Sequence, residues 1–134
     1  MKQLLFIILI LFLVGCSDDV TVINNNPQKI HPNCLKLLLF GADKGISQTL
    51  HQLYTFDEHC NYTLQVSQKG DIVCNSNQNA DKKALSNFPT GYIRMDVYKD
   101  HKVIYSYYKD LHTALTKEDI TDAFQRLQKD LLQK

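Results

Sequence analysis

Residues 92–108 read YIRMDVYKDHKVIYSYY, two tyrosine-rich and β-branched runs on either side of the polar tetrad Lys99-Asp100-His101-Lys102. Tyrosine, valine and isoleucine suit a pleated, half-buried surface, and a polar break between two such runs marks a hairpin. With Lys99 paired to Lys102, regular register sets Val97 opposite Ile104, Met95 opposite Ser106 and Ile93 opposite Tyr108 on one face. The other face then carries Arg94, Asp96 and Tyr98 together with Val103, Tyr105 and Tyr107. Arginine among aromatic rings is the composition enriched at binding interfaces, so Arg94, Asp96, Tyr98, Tyr105 and Tyr107 form the candidate interaction face.

Downstream, Thr116 is placed to cap a helix, with Asp119 three residues on and Leu115 and Ile120 at the positions of a hydrophobic staple. Ile120, Ala123, Phe124, Leu127 and Leu131 then make one apolar stripe, with Lys129 and Lys134 toward the C-terminus where the helix dipole favours cations. Upstream, Leu35 to Phe40 predicts a short buried strand, and Ile46, Leu50, Leu53 and Tyr54 recur at helical spacing over Ser47 to Tyr54. Asn61 to Val66 alternates, and Lys69-Gly70-Asp71 supplies a turn before Ile72 and Val73, which predicts a first hairpin. Ala80 to Asn87 suggests a further short helix ahead of Pro89. The predicted class is α+β: a small antiparallel sheet of two hairpins plus one N-terminal strand, packed against the C-terminal amphipathic helix and short helices. The stretch Cys60 to Val73, CNYTLQVSQKGDIV, is similar to the first hairpin of the TolA C-terminal domain over its fourteen residues. After Pro89 the chain departs from that domain into a hairpin, and no function is carried over.

The N-terminus has its own logic. Lys2 is followed by an uninterrupted apolar run from Leu4 to Val14, eleven residues where a membrane-spanning helix needs about 20. A basic start, a short apolar stretch and a small residue are the marks of a signal peptide. Leu13-Val14-Gly15-Cys16 resembles the lipobox of bacterial lipoproteins. That resemblance implies that residues 1–15 are removed, that the Cys16 thiol receives a diacylglycerol, and that its new amino group is acylated too. Acyl chains hold a protein on a bilayer without a spanning helix. Ser17 in place of aspartate implies, by analogy with enteric-type lipoproteins, the outer membrane facing the periplasm. Residues 16–33 include three consecutive asparagines and two prolines and predict a flexible tether, whose sixteen residues from Ser17 to Pro32 reach about 20–25 Å. Residues 34–134 are the predicted periplasmic domain.

Without Lys2, fourteen of the fifteen Lys and Arg remain against fourteen Asp and Glu, so no basic field exists to gather nucleic acid. The five histidines, His31, His51, His59, His101 and His112, include no pair at i, i+4, and no His-Glu-x-x-His or glycine-framed serine occurs. His59, Cys60 and His51 could compose a Cys/His dyad, but nothing in the sequence favours a thiolate there. Twelve aspartates stand against two glutamates, and Asp71, Asp81, Asp100 and Asp119 fall where turns and caps use them. No cofactor, metal or catalytic residue is expected.

Export exposes Cys34, Cys60 and Cys74 to an oxidising compartment. About the predicted turn, Cys74 lies opposite Gln65, five residues from Cys60, or roughly 16 Å, too far for a disulfide. Cys34 and Cys60 each open a strand, and a parallel βα-β arrangement brings those starts together. A Cys34–Cys60 bridge with Cys74 left over is therefore expected. The functional expectation is a lipid-anchored, non-enzymatic module that binds another envelope protein, as an accessory of a secretion, pilus or conjugation apparatus. The alternative is an immunity or exclusion lipoprotein that binds a periplasmic toxin or a conjugation partner.

Overall fold

A computed structural model describes residues 20–41, 44–70 and 89–132. The elements are β1 (Val20–Asn24), β2 (Lys36–Phe40), α1 (Lys44–Leu53), β3 (Tyr62–Lys69), β4 (Gly91–Lys99), β5 (Lys102–Leu111) and α2 (Lys117–Leu131). The strands form one five-stranded mixed sheet in the order β1-β5-β4-β3-β2, so the class is α+β. Only β2 and β3 are parallel, joined through α1 as a βαβ unit; the other neighbours are antiparallel.

Two expectations need correction here. The second arm of the hairpin predicted at Asn61 to Val73 lies outside the described residues, but β3 finds its neighbours elsewhere, β2 on one edge and β4 on the other, with Leu64 between Leu37 and Val97. Nor is the segment from Ser17 to Pro32 a free tether: Val20–Asn24 pairs with β5, Val22 opposite Tyr107. Ile30 is fully buried and its amide donates to the Leu131 carbonyl at 3.0 Å, binding this segment to the end of α2. The folded domain thus includes Val20–Asn24 and Ile30, upstream of the boundary expected at residue 34. The helix expected at Ala80 to Asn87 falls outside the described residues.

The helices form where local signals place them. Thr116 caps α2: its hydroxyl accepts from the Asp119 amide at 3.2 Å, and its own amide donates to the Asp119 carboxylate at 2.9 Å, a reciprocal capping box. Ile120, Ala123, Phe124, Leu127 and Leu131 are all buried. They pack with Ile46 and Leu50 of α1 against Leu64, Val66, Ile93, Met95 and Val97 of the sheet. Phe124 sits edge-on to Tyr54 at 5.6 Å, and Phe56 joins them at 6.0 Å from Phe124. Both helices therefore cover one face of the sheet.

The register of the β4–β5 hairpin departs from the regular ladder. Lys99 pairs with Lys102 and Tyr98 with Val103, across a two-residue turn in which Asp100 and His101 both take positive φ (50° and 67°). That is the turn whose twist matches a hairpin's strands. Val97 then faces Tyr105, so Ile104 is skipped in a β-bulge, and its carbonyl accepts from the Asn25 amide at 2.9 Å. From there on every β5 side chain lies on the face opposite to the one regular register gives it. The regular ladder would turn Ile104, Ser106 and Tyr108 inward; the bulge turns in Tyr105, Tyr107 and Leu111, all buried. Burying two aromatic rings and a leucine in place of one ring, an isoleucine and a serine favours the shifted register, provided the tyrosine hydroxyls find partners. Tyr105 does, donating to Asp130 on α2 at 2.9 Å.

Candidate functional site

The bulge divides the candidate interaction face. Arg94, Asp96 and Tyr98 remain together on the sheet face turned away from the helices, whereas Tyr105 and Tyr107 are core residues with relative exposures of 0% and 3%. Burial, followed by the hydrogen bond to Asp130, pushes the Tyr105 hydroxyl far above the ordinary phenol value, so it stays a donor. In place of these two, Ser106 and Tyr108 join the outer face, opposite Asp96 and Arg94 respectively.

Asp96 is the centre of that face. It is 4% exposed although no helix among the described residues lies over it, because its neighbours close around it. The Arg94 Nε lies 2.8 Å from its Oδ2, and the Ser106 hydroxyl donates to its Oδ1 at 2.5 Å. A buried carboxylate needs both kinds of partner, since the loss of its hydration must be met by charge and hydrogen bonds. The Tyr92 and Tyr108 rings stack beside Arg94, with centroids 5.5 Å apart and planes inclined by 25°. Tyr108 donates to Asp110 at 3.0 Å; burial first, and then this bond, hold its phenol above the usual pKa.

Apolar side chains flank this polar centre at both edges. Ile23 on β1 is 54% exposed, and Leu38 and Phe40 on β2 are 42% and 52% exposed. Their strand positions match those of Ser106, Gln65 and Ser67, which places all three on the outer face. Toward the β4–β5 turn, Leu38, Asn61, Thr63, Gln65, Tyr98, Asp100 and His101 line an open concavity of about 460 Å³. Amides, hydroxyls and a phenol ring there can exchange hydrogen bonds with neutral polar groups such as peptide amides.

Cys34 and Cys60 are joined in a disulfide with Cα atoms 5.9 Å apart, at the starts of the parallel strands β2 and β3. Cys60 therefore has no thiol to serve a Cys/His dyad, and the His51 Nδ1 instead lies 2.8 Å from the Ser47 carbonyl of its own helix. Among the described residues no group of three His, Cys, Asp or Glu side chains is placed to hold a metal ion. Cys16 and Cys74 lie outside the described residues. Sequence reasoning passed over Tyr92, Ser106, Tyr108, Ile23, Leu38 and Phe40. The alternation in VTVIN, residues 20–24, was the available signal for Ile23; for Ser106 and Tyr108 there was none, since a bulge leaves no mark in residue type.

Compared with known proteins, the chain matches no family model, no curated protein and no solved structure.

Proposed function

We propose that this protein is a lipoprotein anchored through acylated Cys16 and directed to the periplasmic side of the outer membrane. Its domain is a non-enzymatic module that binds another envelope protein through the outer face of the sheet. The lipobox-like Leu13-Val14-Gly15-Cys16 supports the anchor. The observation that carries the binding role is the make-up of the outer face. A charge-paired arginine and stacked tyrosines occupy its centre, and among the described residues the exposed large apolar side chains, Ile23, Leu38 and Phe40, all belong to it. Aromatic and arginine anchors within an apolar surround are what concentrates binding energy at protein interfaces. Scattered apolar exposure is ordinary; its gathering on one face is not.

The anchor also sets the position of the domain. Only Ser17, Asp18 and Asp19 separate Cys16 from β1, so the chain spans at most about 14 Å between the lipidated residue and the sheet. The partner is therefore met at the membrane surface.

A photo-crosslinking residue placed at Tyr98 tests the reading in cells, with Gln125 on the exposed side of α2 as the control. One discrete adduct is expected from position 98 and none from position 125, and Arg94→Glu should abolish it. Equal labelling from both positions, or an adduct indifferent to Arg94→Glu, would remove the outer face from the mechanism.

A further inference from the structure

We infer that β2 is an interface with a second copy of this chain, the two β2 strands pairing antiparallel about Leu38 so that two five-stranded sheets become one.

The first ground is the state of the edge. An edge strand offers a row of unpaired amides and carbonyls, and natural proteins guard such rows with charges, prolines, bulges or a covering element. β2 reads KLLLF, residues 36–40, with no proline, no bulge against β3 and a single charge at its first position, and among the described residues no strand pairs with its other edge. Leu38 and Phe40 stand exposed beside that edge.

The second ground is that the strand is complementary to itself. In an antiparallel pair centred on Leu38, the two Leu38 side chains meet, Leu37 meets Leu39, and Lys36 meets Phe40 of the other copy. No like charges face each other, and each lysine lies over an aromatic ring, a favourable cation–π arrangement. Lys36 can do this: among the described residues its ion-pair partner, Glu58, is 3.9 Å away, and that carboxylate side chain is 75% exposed. The twofold axis closes the assembly at two copies, whereas pairing β2 with the β1 edge of a neighbour would propagate without end.

The interface is a strip about 17 Å long. A strip one strand wide and of that length buries well under the roughly 1,200 Å² of stable complexes, so the pair is weak in free solution. Confinement of both copies to one membrane raises their effective concentration and makes the contact count. The twofold also sets the two Val20 ends at opposite ends of the joined sheet. With about 14 Å of chain each, both anchors reach one bilayer when the plane of the joined sheet lies parallel to it. The two outer faces then form one continuous surface, so the inference extends the proposed binding role but its geometry does not depend on it.

The experiment uses the full chain in its own membrane. In a Cys74→Ser background, Leu38→Cys places two thiols across the ladder, where Cβ atoms lie about 4.5–5.5 Å apart. A disulfide-linked dimer is expected on a non-reducing gel, with the two position-38 thiols joined on peptide mapping, and none from Gln125→Cys. Phe40→Lys, which sets like charges opposite Lys36, should cut the crosslink at least tenfold, while Phe40→Glu, which sets opposite charges there, should retain it. A monomer from Leu38→Cys, or equal loss from both Phe40 variants, would overturn the inference. Neither result bears on what the outer face binds.

Discussion

Tyr105 stands opposite Val97 on the core face of the sheet, one residue out of step with the pairing that Tyr98 and Val103 establish. That offset decides which tyrosines the protein shows to solvent. Tyr105 and Tyr107 are buried, and burial is the first cause raising both phenols, so neither offers a reactive phenolate. Nitration with tetranitromethane should modify the half-buried Tyr92 and Tyr98 of the outer face and spare Tyr105 and Tyr107. Early modification of Tyr105 would restore the unbulged register.

The cap of α2 is tied to the sheet by Lys109, whose ammonium lies 2.8 Å from the Asp119 carboxylate. Burial raises the Asp119 pKa, but the hydrogen bonds from Lys109 and from Thr116 outweigh it and leave the carboxyl below its usual value. The same hydrogen bond, against the opposing effect of burial, raises the Lys109 pKa. A lowered acid stabilises the fold above its unfolded pKa of about 4 and loses that contribution as pH falls through the lowered value. A raised lysine stabilises it below about 10.4 and loses that contribution as pH rises through the raised value. Asp119→Asn should therefore cost about 1–2 kcal/mol near neutrality. The gap to the parent in thermal unfolding should close as pH drops from 5 toward 2; a gap constant over that range would mean the charge is immaterial.

What the sequence made legible was local or periodic. Thr116 and Asp119 cap within three residues of each other, and the Ile120 to Leu131 stripe repeats at helical spacing, so α2 could be read without knowing what it covers. The Cys34–Cys60 bridge followed from a βαβ order that brings the starts of β2 and β3 together, although the sheet as a whole was expected to be antiparallel and is mixed. The rest depended on partners distant in sequence. VTVIN is too short and polar to declare itself a strand until β5 stands beside it. The run YSYY of residues 105–108 offers a tyrosine to either face, so residue type could not decide the register. Asp130, twenty-five residues from Tyr105, supplies the hydroxyl partner that makes the bulged arrangement affordable.

The Cys34–Cys60 bridge closes a loop with a sequence separation of 26. Loop-closure entropy gives such a crosslink about 3–4 kcal/mol. Cys34→Ala/Cys60→Ala should lower the unfolding free energy by that order and leave the far side of the sheet, β1 and β5, the last to open. Alkylation of the unreduced, denatured parent should find Cys74 as its reactive thiol. Labelling at Cys34 or Cys60 before reduction would contradict the bridge.

The short link between the proposed lipid anchor and β1 makes a claim about distance that a flexible tether would not. Sixteen disordered residues would let the domain wander 20–25 Å from the bilayer. Here β1 is held in the sheet from Val20 onward, Val20 opposite Lys109, and cannot pay out more chain without losing that pairing. A fluorophore on Thr21→Cys in the Cys74→Ser background projects from the outer face at the anchored end. Energy transfer from it to an acceptor in the lipid headgroups should be strong, and ten Gly and Ser residues inserted after Asp19 should weaken it sharply, because reach grows with the length of free chain. If the insertion leaves transfer unchanged, the domain is held to the membrane by something other than Cys16. If transfer is weak from the start, β1 is released from the sheet on the membrane and the three-residue link does not set the distance.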